Sequence, residues 1–251
     1  MNFYAGDMDF PKAVLFDLDD TLYDHLHSAR QGLIALSRRH PALHEVPIPV
    51  LEERYSQALE QLHLLMLSGD LTQAEARTRR MQQFFDSFQI SLTDEVALAE
   101  HGLFRHDCDQ AFEFVRGAEE ILRRLREFEM RMAIVTNNLV SEQINKLKQL
   151  GIEDYFDVVS ISEEVGVSKP DPEIFMITLE RLGLQVSDVV MVGDSLKSDI
   201  LGAQAVGIRT VWLNRHSDSP AQLPPGIAVI DQDFSEHERS ILQILGPPPY
   251  A

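Results

Sequence analysis

From residue 131 onwards, strand-length apolar runs alternate with helical stretches, and no other feature restricts the fold as tightly. "RMAIVTNN" (131–138), "DVVSIS" (157–162), "DVVMV" (188–192) and "RTVWL" (209–213) read as strands. "SEQINKLKQLG" (141–151), "DPEIFMITLERLG" (171–183) and "SDILGAQAVG" (198–207) read as helices that close on glycine. β and α segments alternating at this spacing imply a parallel sheet flanked by helices. A further apolar run, Ala13 to Phe16, stands far upstream and supplies another strand.

The stretch in between reads as helical throughout. "LEERYSQALEQLHLLMLSG" places Leu51, Tyr55, Leu59, Leu62 and Leu65 at three- and four-residue steps, and Thr72 with Glu75 three residues on is a candidate capping box. The Met and Phe stripes of this insert read as packing. The chain is thus expected to divide into an α/β core of residues 1–23 and 109–251 and an inserted all-helical cap, 24–108, over the active face.

Bulk properties exclude several partners. Twenty-two Lys and Arg against 40 Asp and Glu give a formal net charge of -18, which repels nucleic acid polymers and anionic membranes. No apolar run approaches the roughly 20 residues that cross a bilayer, and "MNFYAGDMDF" lacks the basic start of a signal peptide. Cys108 is the only cysteine, which rules out an intrachain disulfide and fits a reducing, cytoplasmic location. The tail "GPPPYA" reads as a frayed terminus. An anionic substrate would require positive potential made locally, by a metal or a placed lysine.

The chemistry is concentrated at strand exits. "KAVLFDLDDTLYDH" (12–25) runs from buried strand into Asp17, Asp19, Asp20 and Asp24. If extended geometry persists, Asp17, Asp19 and Thr21 share a face and Leu18 points away. Ligands of open α/β sheets bind outside the carboxyl ends of the strands, where strand order reverses. Thr136 and Asn137 follow the second strand and bring hydroxyl and amide donors; Gly193, Asp194 and Asp199 follow the fourth. Lys169 precedes Pro170, with Asp171 and Pro172 as N-cap and first helical residue, so it is expected on a defined loop. Carboxylates clustered without His or Cys suit a hard cation, Mg²⁺ above others, which would neutralise them and draw in a phosphate. Asp17 is the candidate nucleophile, giving an aspartyl-phosphate, and Asp19 the general acid and base. Thr136, the Asn137 amide and Lys169 are expected to hold the transferring oxygens. Asp20 and Asp24 read as loop or cap acids, and Lys197 as solvent-facing.

"DLDDT", a strand ending in Thr136, "SKP" and "GDSLKSD", in that order, resemble the four motifs of the haloacid dehalogenase superfamily over residues 10–24 and 109–232. The resemblance implies a Rossmann-like sheet of order 5-4-1-2-3 and a helical C1 cap. It implies Mg²⁺ held by the Asp17 carboxylate, the Asp19 main-chain carbonyl and Asp194, with Thr21 and Asp199 behind them and Asp199 near the metal or Lys169. Within that superfamily an acid at position 19 favours phosphate-ester hydrolysis or phosphomutase chemistry over dehalogenation. "YFDVVSISEEVGVSKPDPEIF" (155–175) resembles pyrimidine 5'-nucleotidases, and phosphatases of sugar phosphates and acylneuraminate phosphates share much of it. The expected function is Mg²⁺-dependent hydrolysis of a small phosphorylated metabolite, with a nucleoside 5'-monophosphate as one candidate. The rival readings are a phosphomutase, and a non-catalytic protein that binds phosphorylated ligands.

Overall fold

The computed structural model describes residues 10–67, 70–215, 223–235 and 245; the "GPPPYA" tail and the first nine residues lie outside the described residues. The chain forms two compact units, residues up to Asp24 with those from Phe114 onwards, and His25–Glu113.

The first unit is built on six parallel strands: β1 (Ala13–Phe16), β2 (Arg131–Thr136), β3 (Val158–Ile161), β4 (Val189–Gly193), β5 (Arg209–Asn214) and β6 (Ile227–Asp231). Their order is β3-β2-β1-β4-β5-β6. This is the expected order read from the opposite edge, with β6 added outside β5. β1 is fully buried, as a central parallel strand covered on both faces must be, and it has no polar alternation for that reason. Phe16 pairs with Ile134 of β2 and Val192 of β4. The chain moves outward from β1 to β3 on one side and then crosses to β4 on the other. The exit of β1 therefore lies at the reversal of strand order, where such sheets place their ligands.

The second unit contains α1 (His25–Arg39), α2 (Ile48–Leu67), α3 (Gln73–Asp86) and α4 (Asp94–Asp109). Thr72 and Glu75 form the reciprocal capping box at the start of α3. Leu33, Leu36, Leu51, Tyr55, Met81, Phe84, Phe85 and Phe104 make one buried cluster, the packing role assigned to the apolar stripes. The unit runs to Glu113 rather than 108, because the Ser28 hydroxyl on α1 donates to the Ala111 carbonyl (2.7 Å) and ties down the segment after α4.

Returning to the sheet, the chain forms α5 (Ala118–Glu127), α6 (Val140–Leu150), α7 (Ser162–Val165), α8 (Pro172–Leu182) and α9 (Gly202–Ala205). Ile174, Phe175 and Leu179 of α8 pack on Leu15, Ala133, Val135 and Met191; full burial of each such side chain contributes about 1.5–3 kcal/mol. The continuous helix expected over 198–207 is divided: Leu196–Leu201 is a π-helical turn and only Gly202–Ala205 is α-helical.

Candidate active site

Asp17 is the first residue past β1, and its main-chain N–H donates to the Val192 carbonyl (3.0 Å), which fixes it beside β4. Its side chain is buried. Oδ1 accepts from Lys169 Nζ at 2.6 Å and Oδ2 from the Thr21 hydroxyl at 3.2 Å. Thr21 reaches Asp17 by a turn and not by continued extension. The N–H groups of Leu22 and Tyr23 both donate to the Leu18 carbonyl (2.9 Å each) and fold the loop back, with Leu18 fully buried. The same Thr21 oxygen accepts the Asp194 N–H at 3.0 Å, joining the exits of β1 and β4.

Lys169 lies between two carboxylates, 2.6 Å from Asp17 Oδ1 and 2.6 Å from Asp199 Oδ1. The loop that carries it ends at Asp171, whose side chain accepts the Glu173 N–H, with Pro172 opening α8. Asn137 clamps this loop. Its Nδ2 donates to the Lys169 carbonyl (2.9 Å) and its Oδ1 accepts the Lys169 N–H (2.8 Å). The Asn137 side-chain amide thus holds the Lys169 loop in place, and Asn137 lines the same cavity as Thr136 and Lys169.

Asp194 and Asp199 follow β4. The indole N–H of Trp212 donates to the Asp194 carbonyl (2.7 Å), and the Ser195 N–H donates to Asp199 Oδ2 (2.9 Å). Asp199 sits in the π-helical turn, a distortion often found where a side chain must be re-aimed at a site. Gly193 makes room for it: a Cβ there would lie 2.4 Å from Asp199 Oδ2, so no larger residue fits without displacing the carboxylate.

Oxygens of Asp17, Asp194 and Asp199 lie within 4.8 Å of one another. Three carboxylates thus face one ammonium. Burial pushes Asp17 up to about 7, against the pull of Lys169 and with help from Asp199 and Asp19. Burial also raises Asp199, again against Lys169. For Lys169, burial acts to lower its pKa, but Asp17 and Asp199 outweigh it and hold the group protonated. An all-oxygen set with surplus negative charge is the donor chemistry of a hard divalent cation.

The Asp19 carboxylate is not part of that cluster. Lys146 Nζ lies 2.6 and 2.8 Å from its two oxygens, and Gln143 Nε2 lies 3.1 Å from Oδ2. Gln143 also donates to Thr136 Oγ1 at 2.6 Å. Sequence reasoning singled out neither residue. The one available signal is that both sit on the face of α6 that buries Leu147, where apolar side chains are expected. Asp17, Asp19, Thr136, Lys169 and Asp194 all line one cavity of about 170 Å³. Asp20 and Asp24 pair with Arg215 (3.2 and 2.8 Å) as ordinary loop acids, and Lys197 is exposed.

The haloacid dehalogenase-like hydrolase family model matches residues 11–207, and the chain belongs to that family. It is 33% identical over 210 residues to the ribulose-1,5-bisphosphate 5-phosphatase of Halopiger xanaduensis, covering 83% of this chain and 87% of the relative. It is 42% identical over 123 residues to the Escherichia coli pyrimidine 5'-nucleotidase YjjG, covering 49% of this chain and 53% of that one. Among solved structures, the magnesium-bound HAD hydrolase YfnB of Bacillus subtilis shares the fold. Its TM-score is 0.74 at 22% identity, over 94% of this chain and 99% of YfnB.

Proposed function

We propose that the chain is a Mg²⁺-dependent phosphatase that hydrolyses a small phosphate monoester through phosphorylation of Asp17. The observation that carries this reading is the placement of Lys169 against a buried Asp17 beside Asp194 and Asp199. A nucleophilic carboxylate there needs no separate base. The Asp17 and Asp194 carboxylates, with the Asp19 main-chain carbonyl, would hold the ion; when bound it neutralises the cluster and offsets charge on the phosphate. In the first step Asp17 attacks phosphorus, the bond to the leaving oxygen breaks, and that oxygen takes the proton of Asp19. In the second, water attacks the aspartyl-phosphate, gives its proton to Asp19, and phosphate departs with regeneration of the Asp17 carboxylate. Lys169 and the Thr136 hydroxyl hold the equatorial oxygens, where charge must be stabilised.

The relatives' names support a small phosphorylated substrate and span sugar phosphates and pyrimidine nucleotides; a nucleoside 5'-monophosphate is the first candidate. We assign the choice of leaving group to the helical insert, as its sequence resemblance to a C1 cap implies. The test is phosphate release from a panel of nucleoside monophosphates and sugar phosphates with Mg²⁺, with chelator, and with Asp17→Asn. Release that requires the metal and Asp17 supports the proposal, and the best substrate names the specificity. Isomerisation without phosphate release would make the protein a mutase. Release that survives Asp17→Asn would overturn the mechanism.

A further inference from the structure

We infer that Lys146 and Gln143 are positioning residues that orient the Asp19 carboxylate for proton transfer to the leaving oxygen. The inference rests on the reading of Asp19 as acid and base.

Three observations carry it. First, Lys146 is 3% exposed yet its ammonium reaches both oxygens of Asp19, a side chain 26% exposed at the cavity. Burying a lysine is unfavourable, and an apolar residue of similar volume would serve packing at least as well. Its position makes sense as a fixed partner for one carboxylate. Second, the bidentate lysine contact and the Gln143 N–H on Oδ2 together fix the carboxylate plane as well as its place. A proton donor misplaced by about 1 Å loses on the order of a hundredfold in rate. Third, Gln143 is fully buried, and its Oε1 finds no hydrogen-bond partner among the described residues. Such a group is costly, and turning the amide over would aim that oxygen at the Asp19 carboxylate. The amide is therefore oriented by what it donates to, Asp19 and Thr136. One side chain thus couples the acid to the hydroxyl assigned to phosphate. Lys146 is held in turn by the Tyr23 ring, whose centroid is 5.4 Å from Nζ.

The test uses leaving groups that differ in their need for a proton. An alkyl phosphate needs the acid, whereas p-nitrophenyl phosphate releases a stable anion and needs it far less. kcat/KM reports the step that breaks the ester, so it is measured for both substrates in wild type, Lys146→Met, Gln143→Leu, Lys146→Arg and Asp19→Asn. Lys146→Met and Gln143→Leu are expected to lower the alkyl-to-aryl ratio of kcat/KM by tenfold or more, in the same sense as Asp19→Asn. Lys146→Arg is expected to recover most of the ratio, because it keeps a donor that reaches both oxygens. Aryl turnover serves as the internal measure of a folded, loaded site. A split in Asp19→Asn with equal losses on both substrates in the other variants would overturn the positioning role and leave the acid in place. No split in Asp19→Asn would bring down the acid and the positioning role together.

Discussion

Buried charge is distributed unequally between the two compact units. In the sheet unit Asp17, Lys146, Lys169 and Asp199 are each 6% exposed or less. In the helical unit the buried polar side chains among the described residues are Ser28, Ser37 and His101, and its ion pairs, such as Arg39 with Asp107, stay partly exposed. The helical unit follows the ordinary rule that charges stay wet while Leu and Phe fill the core. The sheet unit departs from that rule in a single place, the exits of β1, β2 and β4. Charge buried at a stability cost and concentrated at one point is the mark of a site kept for chemistry.

That contrast is broken most forcefully at Lys169. Lys169→Met leaves Asp17 and Asp199 buried without their cation. It is expected to cost about 3–5 kcal/mol of stability, as removal of one partner of a buried pair does, and roughly a thousandfold in turnover. Urea unfolding and steady-state kinetics on one preparation check both. Unchanged stability would mean that the lysine does not compensate those charges.

In the helical unit the corresponding blow is apolar. Phe104 is buried against Tyr55, with ring centroids 4.7 Å apart, and against Gly32, where an added Cβ would lie 2.8 Å from the Phe104 ring. Phe104→Ala is expected to cost about 3–5 kcal/mol through the cavity it leaves, read from the urea midpoint at constant slope.

His101 gives the unit a pH dependence. Burial, with Arg80, Arg77 and Arg105 adding to it, lowers its pKa from 6.5 to about 3. The unfolded chain therefore takes up this proton before the folded one. The stability contributed by His101 is present above pH 6.5 and is lost as pH falls towards 3. The slope is at most about 1.4 kcal/mol per pH unit for one proton. His101→Leu should flatten the acid limb of a melting-temperature profile, and an unaltered limb would place the titration elsewhere. The smallest effect is expected at the α3 cap, where Thr72→Ala should cost about 1 kcal/mol by thermal unfolding.

The legible parts of this molecule are those where one local pattern decides the outcome. β1 is a run of apolar residues ending in acids. Lys169 is placed by Pro170, Asp171 and Pro172, and the α3 cap by Thr72 and Glu75; in each case the physics lies within a few residues. What was not legible depends on contacts far along the chain. Gln143 and Lys146 stand 124 and 127 positions from Asp19, and although they share the buried face of α6 with Leu147, nothing on that helix alone names their partner. Asn137 was legible as a site residue but not as a clamp, since its partner is the backbone of a loop 32 residues away. β6 escaped because it is an edge strand in which Ile230 alone is buried. Its short apolar stretch carries little of the core's pattern.

The stereochemical course at phosphorus tests the central claim most directly. An isotopically chiral thiophosphate monoester would be turned over and the configuration of the released thiophosphate determined. Two in-line displacements, the first by Asp17 and the second by water, predict net retention. Inversion would mean that water attacks the ester directly, and the buried Asp17–Lys169 pair would then have to be explained without a phosphorylated enzyme.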